Sequence, residues 1–131
     1  MEVERPKYGF EELDVYKNAR SFRIKIYALS KSFPLDEKFN LISQIRRAAL
    51  SLTNNIAEGH GRFHFQENIQ YLRQSRGSLE EIIDDLNTCL DERYITEQII
   101  NDLKNEAYSL LKQLNGYILY LRNRKQQSDE N

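Results

Sequence analysis

A chain of 131 residues with a net charge of −1 and a single cysteine, Cys89, makes one domain large enough for a core of its own and excludes an intramolecular disulfide. No stretch approaches the ~20 apolar residues of a membrane span. Met1–Lys7 is charged and no apolar segment follows it, so no signal peptide is read and the expected location is the cytoplasm. The charge balance argues neither for nor against nucleic acid. Two prolines and five glycines are few, which favours long regular elements, and strand-like alternation is scarce.

Apolar residues in steps of three and four predict four helices. The first runs from Phe10 to Phe33, with Val15, Ala19, Phe22, Ile26, Leu29 and Phe33 on one seam. Pro34 ends it, since proline disfavours helical geometry in the residue before it. Asp36 is the predicted N-cap of the second helix, which runs to about Ala57 on Ile42, Ile45, Ala49, Leu52 and Ile56. Gly59 and Gly61 supply its stop.

The third helix spans Phe65 to Asp91 on Phe65, Ile69, Leu72, Leu79, Ile83, Leu86 and Leu90, with Arg76 interrupting the apolar row. Thr96 is the predicted N-cap of the fourth, whose seam is Ile100, Leu103, Ala107, Leu110, Leu114, Tyr117 and Leu121. The expected division is an N-terminal arm over 1–9, a bundle over 10–122 and a disordered polar tail over 123–131, where no apolar residue occurs. Short connections make consecutive helices antiparallel neighbours. The fold class is therefore all-α, an up-down-up-down four-helix bundle. Helices of about 24 residues would make it ~36 Å long, with Ala48-Ala49 of the second helix opposite Ser75–Ser78 of the third.

Charge is unevenly spread. Residues 44–76 hold five basic and two acidic side chains, and residues 77–106 hold two basic and nine acidic ones. Solvated helix faces with ion pairs between helices are one reading; a dipolar subunit that recognises a partner, or its own copy, is the other. Tyr8, Phe10, Tyr16, Tyr27, Phe39, Phe63, Tyr71, Tyr94, Tyr108 and Tyr120 are many large rings to lie off four seams. Some widen the core stripe, and at least one cluster is expected to serve self-association, since tyrosine suits interfaces.

No set of residues has catalytic or metal-binding spacing. His60 and His64 are four apart, but Gly59 and Gly61 break the helix beneath them and no third or fourth ligand is evident. They read as loop histidines, and no cofactor is expected. Glu-x-x-His pairs, a Walker loop, a nucleophile elbow and the Arg–His spacing of HEPN-type RNases are absent. Glu80, Glu81, Asp84 and Asp85 read as an acidic surface face. The candidates for binding are arginines on the second and third helices and their hairpin. Arg46, Arg47, Arg62 and Arg73 could contact phosphate in bidentate fashion. Against that, Arg76 has Glu80 one turn on, and Arg62 can close the loop onto helix ends.

The run Gln44–Arg62, QIRRAALSLTNNIAEGHGR, combines a double arginine, adjacent amides at Asn54-Asn55 and a Glu58-Gly59 closure. With FEELDVYKNA at Phe10–Ala19, FPLDEKFNL at Phe33–Leu41 and ENIQYLRQSRGSLEE at Glu67–Glu81, it resembles the four-helix-bundle proteins encoded by intervening sequences of bacterial 23S ribosomal RNA genes. The resemblance implies a ring-like homopentamer without established enzymatic activity. A relative in fold, the accessory protein of diversity-generating retroelements, works with a reverse transcriptase and RNA. Two expectations follow: a non-enzymatic scaffold whose partner is its own copy, or a protein that binds RNA or a ribonucleoprotein through arginines gathered on the assembled ring. Two positions depart from the family pattern. Thr53 stands where many members have proline, which puts a kink there in doubt. Arg93 stands where many have glycine before the Tyr94-Ile95 pair, and a left-handed cap there is strained without glycine. The near-zero net charge departs from strongly basic relatives and weakens the RNA reading.

Overall fold

The computed structural model describes residues 9–130, and among these there are four α-helices, two short 3-10 turns and no strand. Helix α1 spans Asp14–Ser30, α2 Leu41–His60, α3 Phe65–Asp91 and α4 Glu97–Glu130. Consecutive helices pack side by side and α4 closes back on α1, while α1 and α3, like α2 and α4, occupy diagonals with no close backbone approach. This is the antiparallel four-helix bundle that the seams predict. The helices are unequal, 17, 20, 27 and 34 residues long. At ~1.5 Å per residue α4 is about twice as long as α1.

The seams meet in one core. Phe22, Ile26, Ile45, Leu52, Ile56, Ile69, Leu72, Leu79, Leu86, Ile100 and Leu114 are among the fully buried side chains. The stripes are wider than a strict heptad row, as expected where each helix contacts two neighbours. Ser30 is buried where α1's seam has the half-buried Leu29, and Ile118 where α4's has Tyr117. On α3, Arg76 does not leave a hole. Ser75 fills that level of the core instead, and Arg76 turns to α4, where Nη1 donates to Asn115 Oδ1 at 2.9 Å.

The pairing of α2 with α3 sits one turn away from the expected register. Ser75 Oγ donates to the Leu52 carbonyl at 2.8 Å and Ser78 Oγ to Ser51 Oγ at 2.9 Å, so Ser51-Leu52 lies opposite Ser75–Ser78 in place of Ala48-Ala49. The reason is Gly59. It does not stop α2 but lies buried inside it, and a Cβ there would stand 2.7 Å from Asn68 Oδ1 and 2.9 Å from Tyr71 Cβ. Only glycine lets the two helices close to that distance. The helix therefore continues to His60, and Gly61 caps it with an ordinary right-handed φ of −75°. It also runs unbroken through Thr53, whose hydroxyl donates to the Leu50 carbonyl at 3.2 Å.

Several further boundaries differ from the sequence reading, and the first helix ends at Ser30, short of Phe33. The start of the first helix is split, because Leu13 is extended between a 3-10 turn at Phe10–Glu12 and α1, and Phe10 packs edge-on against Tyr16 at 4.9 Å. Asp36 does not cap α2: it lies in a second 3-10 turn, Leu35–Glu37. That segment is tied to the α3–α4 connection by Tyr94 Oη donating to Glu37 Oε2 at 3.0 Å and by the Phe33–Tyr94 ring contact. At the other end α4 continues through residues 123–130, where Lys125 Nζ donates to Gln66 Oε1 at 3.0 Å. Arginine, lysine and glutamine are good helix formers even without an apolar partner. Residues 1–8 of the N-terminal arm, Tyr8 among them, lie outside the described residues. Thr96 does cap α4, accepting from the Ile99 amide at 3.4 Å.

Helix α3 ends in a Schellman arrangement: the Tyr94 amide donates to the Cys89 carbonyl and the Arg93 amide to the Leu90 carbonyl, at 3.0 and 3.1 Å. This forces Arg93 to φ 58°, the one positive value at a non-glycine residue among those described. A side chain costs ~1 kcal/mol or more in that region. Arg93→Gly is therefore expected to stabilise the protein by about 0.5–1 kcal/mol after glycine's extra unfolded-state entropy. Urea denaturation checks this, and a destabilised variant would mean that the Arg93 side chain makes up the strain.

Candidate interaction surface

The four arginines nominated from the sequence do not converge within one subunit. Arg46 is half-buried between α1 and α2: its Nε donates to Ser30 Oγ at 2.7 Å and its guanidinium lies 5.6 Å from the centre of the Tyr27 ring. Arg47, one residue on, points the other way and pairs with Glu81 of α3 at 2.8 Å. Arg62 closes the hairpin. It pairs with Glu58 at 2.6 Å, donates to Tyr71 Oη at 2.8 Å, stacks over that ring and reaches Glu67 at 3.9 Å. Arg73 is exposed and has no hydrogen bond or ion pair among the described residues. Along α2, Arg46 and the hairpin are ~20 Å apart.

A different group does converge. The groove between α1 and α2 is lined by Arg23, Ile24, Tyr27, Lys31 and Leu50. Arg23 Nη1 donates to Thr53 Oγ1 at 2.8 Å, so the threonine hydroxyl holds a guanidinium across the helix pair. Ile24 is 57% and Leu50 44% exposed. Neither Arg23 nor Arg46 has a carboxylate partner among the described residues, although both are half-buried. Sequence reasoning passed over this groove. Its signal was present: Val15–Phe33 and Leu41–Ala57 carry seven basic residues and no acidic one.

Acidic groups gather on α3. Glu80, Asp84 and Asp91 are exposed, and their spacing places them on one helix face. Asp85 is different. It is 7% exposed and its Oδ2 has no hydrogen-bond partner. Burial, reinforced by the charges of Glu81 and Asp84 and opposed by Arg47, pushes its carboxyl up to about 6. One turn on, burial and Asp85 push the Cys89 thiol up to about 12, which makes it an inert core side chain.

His60 is not a loop residue but the half-buried last residue of α2, and His64 precedes α3. Among the described residues no group of three or more His, Cys, Asp or Glu side chains could hold a metal, and no helix is long and apolar enough to cross a membrane.

Fold and sequence profile agree on the relationship. The profile of the 23S rRNA-intervening sequence proteins matches residues 11–116, most of the bundle. The chain belongs to the 23S rRNA-intervening sequence protein family. A solved structure shares the fold: a protein of unknown function from the S23 ribosomal protein family of Bacteroides thetaiotaomicron VPI-5482, 24% identical, with a TM-score of 0.74 over 79% of this chain and 97% of that one. None of the curated proteins matches. The matched region holds Arg46, Arg47, Arg62 and Arg73, as well as the α1–α2 groove and the acidic face of α3.

Because the folded pKa of Asp85 lies above the usual carboxylate value, the native state keeps a proton that the unfolded chain loses between about pH 4 and 6. Its contribution to stability is thus fully present below pH 4, falls as pH rises to about 6, and stays lost above. Asp85→Asn removes this dependence. The stability difference between variant and wild type should move in the variant's favour by about 2–3 kcal/mol from pH 4 to pH 8, measured by urea denaturation at each pH. A constant difference would show that Asp85 ionises freely.

Proposed function

We propose that this protein is a non-enzymatic scaffold that acts as a homo-oligomer, with a pentamer the closed ring that the family resemblance implies. The observation that supports this is the large apolar surface a lone subunit leaves in water. Phe63 is fully exposed, Phe39 90% and Leu35 86%, and on the helix faces Ile24, Leu50, Ile99, Tyr108, Leu119 and Tyr120 are each exposed too. Single exposed apolar side chains are ordinary, but so many on one small bundle mark surfaces that are covered in use. A closed ring covers such surfaces in every subunit at once. Multi-angle light scattering of the purified protein at micromolar concentration is expected to give a mass about five times 15.6 kDa. A monomer at every concentration would remove the scaffold reading.

A second reading, binding of RNA or a ribonucleoprotein, is favoured by Arg73, a guanidinium that the fold leaves exposed and unpaired among the described residues. The family's name refers to 23S rRNA-intervening sequences, and the solved relative comes from a ribosomal protein family. Each ring would repeat Arg73 in every subunit, beside Arg46, Arg47 and Arg62 if those exchange their internal partners for phosphate. Fluorescence anisotropy with structured and single-stranded RNA tests this. Affinity should fall with salt. Arg73→Ala should weaken binding to many sequences alike and lower the salt slope by about 0.7–0.9 for every phosphate that is no longer neutralised. Arg46→Ala with Arg47→Ala should lower it further. An unchanged slope in both variants, or no binding at low salt, would leave these arginines as structural groups.

A further inference from the structure

We infer that the cationic stripe of α1, with the α1–α2 groove behind it, docks head to tail onto the acidic face of α3 in a second copy of this chain. The inference rests on the self-association proposed above and names its contact surface.

The two stripes match in chemistry and in length. On α1 and its C-cap, Arg20, Ile24, Tyr27 and Lys31 fall at steps of four, three and four; on α3, Glu80, Asp84, Asn87 and Asp91 repeat the same steps. The charges at the ends of each stripe are eleven residues apart. At ~1.5 Å per residue both spans are about 16 Å, and eleven residues bring a helix back to nearly the same face. The stripes can therefore pair at both ends. Antiparallel alignment sets Arg20 against Asp91 and Lys31 against Glu80, with the Tyr27 hydroxyl facing Asp84 and Ile24 facing Asn87. Parallel alignment would bury Ile24 against the Asp84 carboxylate, so the antiparallel register is the favoured one.

The pairing must be between subunits. Helices α1 and α3 are diagonal in the bundle and cannot meet within one chain. The charged residues of each stripe are also unpaired within the chain, although Asn87 Oδ1 accepts from Lys104 Nζ at 2.8 Å. Arg20, Lys31, Glu80, Asp84 and Asp91 have no ion pair among the described residues, and Glu80 and Asp84 are like charges one turn apart, which repel. Arg23 and Arg46 add half-buried positive charge behind the α1 stripe, and the exposed Ile24 and Leu50 give the contact an apolar centre. Because α1 and α3 lie on a diagonal of the bundle, one neighbour cannot cover both stripes, so the contact is heterologous and propagates from subunit to subunit, as a ring requires.

The test is complementary charge reversal followed by light scattering. One variant carries Arg20→Glu and Lys31→Glu, the other Glu80→Lys and Asp91→Lys. All four positions are exposed, and thermal melts by circular dichroism confirm the fold. Each variant alone is expected to be monomeric, with self-association weakened at least about 100-fold. Mixed, they should assemble together, the unchanged α3 of the first against the unchanged α1 of the second and the two reversed stripes against each other. A chain with all four changes should assemble again. A gentler variant, Ile24→Ser with Leu50→Ser, should also weaken assembly and avoids reversed charge. Variants that assemble like the wild type would overturn this contact while leaving self-association intact. A wild type that is itself monomeric would overturn both. Loss of RNA binding by the α1 variant with assembly unchanged would assign the stripe to nucleic acid and overturn the inference.

Discussion

The close approach of α2 and α3 is the constraint on which the rest of the bundle depends. At the hairpin end Gly59 removes the side chain that would collide with Asn68 and Tyr71, and further along Ser51, Ser75 and Ser78 bring hydroxyls into contact where larger groups would hold the helices apart. Ser75 is fully buried, and its hydroxyl is satisfied by the Leu52 carbonyl, so the small residue causes no polar penalty. This pair fixes the register of the hairpin. The register in turn decides which level of α3 faces the core, and so allows Ser75 to take the place that the heptad row gives to Arg76.

Around that pair, polar side chains lace the edges of the bundle instead of crowding its centre. Arg23–Thr53 and Arg46–Ser30 join α1 to α2, Arg47–Glu81 joins α2 to α3, Lys104–Asn87 and Arg76–Asn115 join α3 to α4, and Lys25–Glu106 with Asn18–Gln113 joins α4 to α1. Most are exposed contacts worth little individually. Their value is in specifying neighbours and register. The exceptions are interior. Asp85 and Asn68 each bury an oxygen without a partner, a cost that an apolar core would not carry. The charge of Asp85 adds to the negative field of α3, the side on which Glu80, Asp84 and Asp91 stand.

The outcome is a subunit with segregated charge and a net charge close to zero. Basic groups cluster on α1 and α2, acidic ones on α3, and the diagonal arrangement of α1 and α3 holds the two collections apart. Self-neutralisation within one chain is therefore limited to bridges at the shared edges, such as Arg47–Glu81. What remains faces outward next to exposed isoleucine, leucine and tyrosine. A surface that is apolar at its centre and charged at its rim is the ordinary anatomy of a protein contact. The absence of bulk positive charge makes a nonspecific polyelectrolyte role the weaker of the two functional readings.

Sequence by itself determined the number of helices, the extent of α3, the N-cap at Thr96 and the apolar seams, while the strained cap at Arg93 was legible only through the family resemblance. The former follow from local chemistry: the 3.6-residue period and side-chain capping. Family membership was legible too, because the Gln44–Arg62 block combines residues that a generic core helix does not need. Tertiary structure alone decided the fate of individual polar residues. Gly59 reads as a helix stop and proves to be a contact residue, because its neighbour is on another helix. Arg47 and Arg62 read as candidates for phosphate or for ion pairs and are paired, because Glu81 and Glu58 come within reach only when the hairpin closes or the helix extends to His60. Arg23 had no apparent role in the one-dimensional pattern and Tyr27 was one off-seam ring among many; together they became a groove when α1 met α2. Periodicity encodes which side of a helix turns inward; it does not encode which residue of a neighbour stands opposite, and that depends on register and distance between helices.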